Sequence, residues 1–212
     1  MGQRTVSKKA MNMDIICFDT EWRYNHHEKP DKFNLKCEHI LDTLKDFYGL
    51  DPKYEKVLSR DNLVHYMKQF NGKRTISKYD IIYMSFHGEP GCIYFEGETK
   101  DKTKKDSQEE VGIITLEQLG DLCEGFFEGK IVHFSSCSTM CDEDAVRRFK
   151  RQTHAKRVSG YKSDVDPIDS VLLDMAYFKY LQHYTIDTLK RPTSIFQQNF
   201  ASLIDYLQFV IV

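Results

Sequence analysis

Two apolar runs decide the fold: Tyr79-Asp-Ile-Ile-Tyr-Met-Ser-Phe-His87-Gly88 and Lys130-Ile-Val-His-Phe-Ser-Ser-Cys137-Ser138. Each has the length and the dense apolar content of a strand that is buried on both faces. Because ligands in an open α/β sheet bind just beyond the carboxyl ends of the strands, we expect His87 and Cys137 to lie at a binding edge. A histidine and a cysteine placed there together can serve as a general base and a nucleophile.

The rest of the chain alternates between strand-like and helix-like patterns. Short apolar runs predict strands at 13–18, 56–59, 92–95 and 157–161, and helical periodicity predicts helices at 35–47, 61–70, 116–127, 142–154, 166–184 and 193–212. The helix at 166–184 begins with Asp166 as N-cap and Pro167. Its expected buried face consists of Ile168, Val171, Leu172 and Met175. This order predicts an α/β fold, a mainly parallel sheet with helices on both faces.

Length and composition are those of one globular domain. The 212 residues are 41% hydrophobic, which is enough for one sizeable core. We therefore predict a single domain over 1–212, with a flexible N-terminus at 1–12. We also predict a polar, solvated loop at 96–110, because that segment is rich in charges of both signs.

Charge, hydropathy and cysteine usage indicate the cellular setting. The net charge of −2 gives no electrostatic basis for binding nucleic acid or an anionic membrane. No stretch reaches the ~18 apolar residues of a membrane span, and no apolar segment typical of a secretion signal follows Met1. The six cysteines show no framework spacing and are predicted to be free thiols. These features predict a cytoplasmic protein without nucleic-acid or membrane partners.

A cysteine nucleophile reacts as its thiolate, yet a thiol with the ordinary pKa of about 8.5 is mostly protonated at neutral pH. Two groups would lower this pKa for Cys137: the imidazole of His87 and the N-terminus of a helix expected to begin at Ser138-Thr139. The backbone N–H groups of Gly88 and Cys137 could stabilise the oxyanion of a tetrahedral intermediate, and Gly88 has no side chain to block a substrate. His133 shares a strand face with Cys137 but lies about 13 Å back along the strand, which is too far for a base.

The spacing and the flanking residues match a known pattern. Cys137 follows His87 by 50 residues, close to the interval of about 50 quoted for caspases. With Phe86-His87-Gly88-Glu89 at the end of one strand and Ser135-Ser136-Cys137-Ser138 at the end of a later one, the chain resembles the caspase-like cysteine peptidases of clan CD. It is most similar to their bacterial CHAT-type branch. There, too, a glycine strand leads into an acidic pocket loop, as in Val158-Ser-Gly160-Tyr161-Lys-Ser-Asp164-Val-Asp166.

The resemblance spans Met13 to Tyr184 by strand order. It implies a caspase-like sandwich that acts as a cysteine endopeptidase on a protein or peptide substrate, with no cofactor and no metal. It also implies His87 as general base and acid, Cys137 as nucleophile, and the N–H groups of Gly88 and Cys137 as the oxyanion hole. Because the single domain carries no sensor, control by a regulatory partner protein or by cleavage of the loop at 96–110 is expected. A bacterial defence or cell-death setting follows from the family analogy.

The expected substrate preference follows from where the chain departs from caspases. Caspases carry Gln-Ala-Cys-Arg-Gly at the nucleophile, whereas this sequence has Ser-Ser-Cys137-Ser-Thr and no counterpart of the arginine set that selects aspartate. Asp164 and Asp166 instead suggest a basic P1 residue, although Asp166 has the N-cap as a competing role. Glu21 and Trp22 follow the first strand and are predicted to line the peptide groove.

Three other functions stay open. Asp19 and Glu21 could hold Mg²⁺ in a DEDD-type 3'-5' exonuclease, although the later motif His183-Tyr-Thr-Ile-Asp187 is one residue short of the usual histidine form. A zinc site would need Cys92, His133, Cys137 and Cys141, and these lack a second paired knuckle. The last alternative is a non-catalytic interaction module built on the same fold.

Overall fold

The structure is a computed structural model that describes residues 11–20, 37–95 and 112–212. The polar loop predicted at 96–110 and most of the flexible N-terminus predicted at 1–12 lie outside these ranges. Within them, no helix has the length and apolar content needed to cross a membrane.

The strands, in chain order, are β1 (Asp14–Asp19), β2 (Lys53–Lys56), β3 (Tyr79–Ser85), β4 (His87–Glu89), β5 (Cys92–Tyr94), β6 (Ile113–Thr115), β7 (Ile131–Ser135), β8 (Arg157–Tyr161) and β9 (Phe209–Ile211). In the described part of the chain, six of them form the central sheet in the order β2-β1-β3-β7-β8-β9. Neighbours from β2 to β8 are parallel, and β9 runs antiparallel to β8. The α/β class with a mainly parallel sheet is therefore confirmed, and the arrangement is consistent with a caspase-like sandwich.

The helices are α1 (Glu38–Tyr48), α2 (Arg60–Phe70), α3 (Lys73–Ile76), α4 (Leu116–Asp121), α5 (Glu143–Thr153), α6 (Pro167–Leu181), α7 (Ile186–Leu189), α8 (Ile195–Asn199) and α9 (Ala201–Leu207). One apolar core joins the sheet to α2, α4 and α5, and a second joins it to α1 and to α6–α9. Side chains of β7 alternate between them: Phe134 belongs to the first core and Ile131 to the second. Helices on both faces of the sheet are what the sequence predicts.

The expected buried face of α6 is correct only in part, because Val171 and Met175 are half-buried against the second core but the other two residues are not. Ile168 is 59% exposed and Leu172 55% exposed. The helix instead packs the stripe of Ser170, Leu173, Asp174, Ala176, Tyr177, Phe178 and Leu181 against the sheet. Two adjacent aromatic rings bury more apolar surface than the smaller aliphatic residues on the other face, so the helix presents the aromatic side to the core even though polar Asp174 goes with it.

The predicted C-terminal helix at 193–212 is also wrong. It is divided into α8 and α9, and Gln208, in the left-handed region at φ 48°, ends α9. The last apolar residues then form β9, where Phe209 and Ile211 are buried beside β8. Because β-branched and aromatic residues pack well on a pleated sheet, this segment extends the sheet as a strand.

The other helices and strands differ from the predicted bounds by smaller amounts. Helix α4 ends at Asp121 rather than 127, and the buried Phe126 and Phe127 lie in the turns that follow it. Strand β2 lies at Lys53–Lys56 rather than 56–59. The strand predicted to run through His87 ends at Ser85, and His87 opens a short second sheet formed by β4, β5 and β6.

Candidate active site

The strands that carry the predicted histidine and cysteine are parallel neighbours. Strand β3 pairs with β7 in a register that sets Ser85 opposite Ser135. His87 and Cys137 each follow two residues after these serines. Both segments therefore leave the sheet at the same carboxyl edge. Asp19, at the end of β1, lies opposite Ser85 at that edge as well. The topology thus brings the two predicted catalytic residues to one rim of the sheet.

The hairpin formed by β4 and β5 lies directly on the turn that contains Cys137. A Cβ atom added to Gly88 would lie 2.5 Å from the carbonyl oxygen of Cys137 and would also collide with Oγ1 of Thr139. The N–H of Gly91 donates to the Thr139 carbonyl (3.1 Å), and the Thr139 hydroxyl donates to the carbonyl of Cys92 (3.0 Å). Glycine is therefore required at position 88 because another stretch of backbone fills the space in front of it, not because a substrate needs that space.

The ring of His87 is oriented by the strand opposite. His87 pairs with Tyr94 across the hairpin, and the two rings stack with centroids 5.1 Å apart and planes 15° from parallel. The residue is half-buried and its Nε2 atom is buried. Stacking between cross-strand neighbours restricts the rotation of the imidazole and favours one fixed orientation of the ring.

The sulfur of Cys137 lies beneath the segment Ser163–Val165. The N–H of Val165 donates to Sγ (3.5 Å), and the carbonyl oxygen of Val165 is 3.9 Å from Sγ. Ser138, in the left-handed region at φ 53°, donates its N–H to the carbonyl of Ser163 (2.9 Å) and its hydroxyl to Asp164 Oδ1 (2.8 Å). Four hydrogen-bonding contacts therefore join the residues at the nucleophile position to the loop that follows β8.

The electrostatics of Cys137 differ from the expected activation. Burial raises the pKa of the Cys137 thiol, and the negative charge of Asp164 raises it further. The N–H of Val165 and the N–H of Cys137 itself offset only part of this increase in pKa. The expected helix N-terminus is absent, because a three-residue 3-10 turn at Thr139–Cys141 intervenes and α5 begins only at Glu143. In this conformation the thiol form is favoured.

Alkylation rates should report this protonation state. We expect Cys137 to react with iodoacetamide more slowly than the exposed Cys141 near pH 7, and its rate to keep rising above about pH 9, because only the thiolate reacts. Asp164→Asn removes a negative charge, so the rate profile of Cys137 should shift to lower pH. Peptide mapping by mass spectrometry after timed labelling gives both rates. Faster labelling of Cys137 than of Cys141 below about pH 7 would contradict the prediction.

The other predicted substrate-binding residues divide into three groups. Asp164 is exposed and is held beside Cys137 by Ser138. Asp166 is the N-cap of α6, where its Oδ1 accepts hydrogen bonds from the N–H groups of Ile168 (2.8 Å) and Asp169 (3.3 Å). The N-cap role is therefore confirmed. Glu21 and Trp22 lie outside the described residues.

The metal-dependent alternatives find little support in the described part of the chain. Asp19 is 1% exposed, and its Oδ2 accepts hydrogen bonds from the Tyr54 hydroxyl (2.9 Å) and the Cys37 N–H (3.4 Å). Among the described residues, no group of three or more histidine, cysteine or acidic side chains is arranged to hold a metal ion. The two ring nitrogens of His133 contact Ser159 and Asp174, so they are not directed at a zinc site with the cysteines.

A buried histidine–aspartate contact beneath the rim was not predicted from the sequence. His133 Nε2 lies 2.6 Å from Asp174 Oδ1, and both side chains are fully buried. The hydroxyl groups of Tyr83 (2.7 Å) and Tyr161 also donate to the Asp174 carboxylate. A further hydrogen bond comes from Ser135, the last residue of β7. The carboxylate thus accepts hydrogen bonds from the strands β3, β7 and β8, which surround the rim.

The Asp174 carboxylate is stabilised in its charged form. Burial acts to raise its pKa, but His133 and the hydrogen bonds from Ser135 and Tyr161 outweigh burial and hold the pKa below its ordinary value. The sequence does contain a signal for this site. Ser170, Asp174 and Tyr177 lie at helical spacing on one stripe of α6, and a carboxylate within a stripe that also carries aromatic residues indicates a buried partner.

Comparisons with known proteins place the chain in a family without assigning its chemistry. Comparison with curated proteins gives no match. One family model, described as a family of unknown function (DUF6642), matches residues 12–211. Since this match covers almost the whole chain, the protein belongs to the DUF6642 family.

Proposed function

We propose that this protein is a cysteine endopeptidase in which His87 is the general base and Cys137 the nucleophile. The observation that carries the proposal is the shared rim of β3 and β7, where the backbone at Gly88 packs against the carbonyl of Cys137. The resemblance to caspase-like peptidases of the CHAT-type branch supports the same pair of residues. The buried, hydrogen-bonded Asp19 favours this function over a metal-dependent exonuclease.

The reaction needs one base, one nucleophile and two N–H donors. His87 removes the thiol proton of Cys137, and the thiolate attacks the peptide carbonyl carbon. The N–H groups of Gly88 and Cys137 stabilise the oxyanion, and His87 returns the proton to the leaving amine. His87 then removes a proton from water, which attacks the thioester. The C–S bond breaks, His87 gives the proton to the sulfur, and the acid product leaves.

The position of Val165 suggests how the reaction is controlled. Its backbone N–H and carbonyl group both lie against Sγ, where a substrate carbonyl would have to approach. Productive binding therefore requires Val165 to move away from the sulfur, which would also reduce the burial that raises the thiol pKa. By family analogy, a regulatory partner protein in a cytoplasmic bacterial defence or cell-death pathway causes that movement.

Asp164 is the best candidate for the residue that selects the substrate. It is exposed and adjacent to the nucleophile, so its carboxylate would attract a positively charged P1 side chain. Asp166 contributes less to this preference because its Oδ1 caps α6.

A panel of peptides that vary only at P1 tests the proposal. The wild-type protein should cleave after lysine and arginine, Cys137→Ala should cleave none of the peptides, and Asp164→Asn should lower kcat/KM for the basic peptides by about tenfold, because it removes one charge-assisted contact. Asp166→Asn is the matched control and should keep the basic preference. Cleavage that persists in Cys137→Ala would show that Cys137 is not the nucleophile. Metal-dependent release of nucleotides that is lost in Asp19→Ala would show that the protein is an exonuclease rather than a peptidase.

A further inference from the structure

A cleft that none of the described rim residues lines lies between α5, the end of α7 and β9. It is widely open to solvent, and its volume of about 950 Å³ is within the usual range for small-molecule sites. Its polar lining consists of Arg147, Lys150, Arg151, His154 and Lys190, and Ile211 forms part of its apolar wall. Among the described residues, no aspartate or glutamate lines this cleft.

The amphipathic pattern of α5 creates this basic surface. Val146 and Phe149 are buried against the sheet. Arg147, Lys150 and Arg151 have the spacing i, i+3, i+4, so they form one cationic stripe on an outward face of the helix, and His154, the C-cap residue, extends the polar lining. This stripe extends about 6 Å along the helix axis. Lys190, which follows α7, adds a positive charge from a separate element.

The positive charges of this cleft are only partly neutralised within the described residues. Arg147 pairs with Glu143 (2.9 Å), and the ion pairs of the described chain include none with Lys150, Arg151 or Lys190. Asp187, the acidic residue that acts on Lys150, is itself paired with Arg157 (2.5 Å). Burial lowers the pKa of Lys150, and the charges of Arg157 and Lys190 lower it further. A bound anion would relieve this repulsion.

The number and spacing of the cations determine which anion fits. A single carboxylate can contact only one or two of these side chains, whereas successive phosphate groups can contact several cations along the stripe. Guanidinium groups bind phosphate oxygens in pairs and lysine ammonium groups bind them as point charges, so the mixture of Arg and Lys suits this ligand. We propose that the basic cleft binds a small ligand that carries at least two phosphate groups.

Calorimetric titration of the full chain at constant ionic strength tests this proposal. Tripolyphosphate and ATP should each bind at least about tenfold more tightly than inorganic phosphate, because they engage more cations at once. The double variant Lys150→Gln/Lys190→Gln should weaken tripolyphosphate binding by at least about tenfold. The matched control is Arg148→Gln, which lies on the same helix outside the cleft, and it should change binding by less than about twofold. Unfolding curves check that all variants fold.

The outcomes separate the possible ligands. Equal binding of tripolyphosphate and ATP identifies the phosphate chain as the ligand, whereas tighter binding of ATP identifies a nucleotide whose base uses the apolar wall at Ile211. The proposal is wrong if the control weakens binding as much as the double variant, or if inorganic phosphate binds as tightly as tripolyphosphate. It is also wrong if only a single-stranded oligonucleotide binds, since the surface would then serve nucleic acid. The assay uses no peptide substrate, so its result is independent of the peptidase proposal.

Discussion

Replacing Asp174 by asparagine is expected to lower the free energy of unfolding by about 3–5 kcal/mol. The side chain is fully buried, and its two oxygens accept hydrogen bonds from His133, Tyr83 and Tyr161. An asparagine of the same shape has only one acceptor oxygen, and its NH₂ group would face a hydroxyl or an imidazole N–H. The substitution therefore leaves at least one buried polar group without a suitable partner. Urea unfolding followed by circular dichroism measures the loss.

The matched control for this prediction is Asp187→Asn. Asp187 pairs with Arg157, but it is 58% exposed, so its loss should cost less than about 1 kcal/mol. A cost below about 1 kcal/mol for Asp174→Asn would show that the buried pair is not a major source of stability.

The stability supplied by Asp174 should depend on pH in a known direction. Its pKa is lower in the folded protein than its ordinary value, so the unfolded chain takes up this proton at a higher pH than the folded protein does. The contribution is therefore fully present above about pH 4 and is lost as the pH falls further. The difference in unfolding free energy between wild type and Asp174→Asn should decrease below that pH. An unchanged difference would contradict the lowered pKa.

Replacing His87 by alanine is expected to reduce the rate of peptide cleavage by about 10²–10⁴-fold, the usual contribution of a general base. The stacked Tyr94 fixes the imidazole at the rim that also carries Cys137, so no other side chain is expected to take its place. Initial rates with the best substrate of the P1 panel give the comparison.

Two control variants test whether the loss of activity is specific to the imidazole of His87. His65→Ala removes an exposed histidine from α2 and should leave the cleavage rate unchanged. Tyr94→Phe preserves the stacked ring and should retain most of the activity, because the contact depends on the ring faces. If His87→Ala keeps more than about a tenth of the wild-type rate while folding normally, His87 is not the base.

The sequence predicts the rim because strands β3 and β7 are short, continuous apolar runs with polar residues at their ends. Parallel strands that are buried on both faces are recognisable in a sequence as continuous apolar runs. Their carboxyl ends then define the edge where His87 and Cys137 lie. The contact between Cys137 and Val165 leaves no such pattern. It depends on how the loop after β8 folds over the turn after β7, and neither segment has a periodicity that indicates the other.

Helix α6 shows a second limit of sequence patterns. Apolar residues occupy both sides of this helix, so hydrophobic periodicity does not decide which side is buried. The choice is made by partners from distant strands, since Tyr83 and His133 provide hydrogen bonds that make a buried Asp174 acceptable. The same reasoning applies to the segment of Phe209, whose apolar residues are compatible with a helix until β8 provides a strand for them to pair with.

The two outermost strands of the central sheet bear on how the protein behaves at high concentration. Strand β2 carries exposed Lys53 and Lys56, and such charges discourage a neighbouring molecule from adding its own strand. Strand β9 has no charged side chain, but it is only three residues long, and its Phe209 and Ile211 are turned into the protein. The charges of β2 and the short length of β9 therefore both oppose edge-to-edge aggregation. Removal of β9 by proteolysis would expose β8 as a new edge strand, with which a neighbouring molecule could pair.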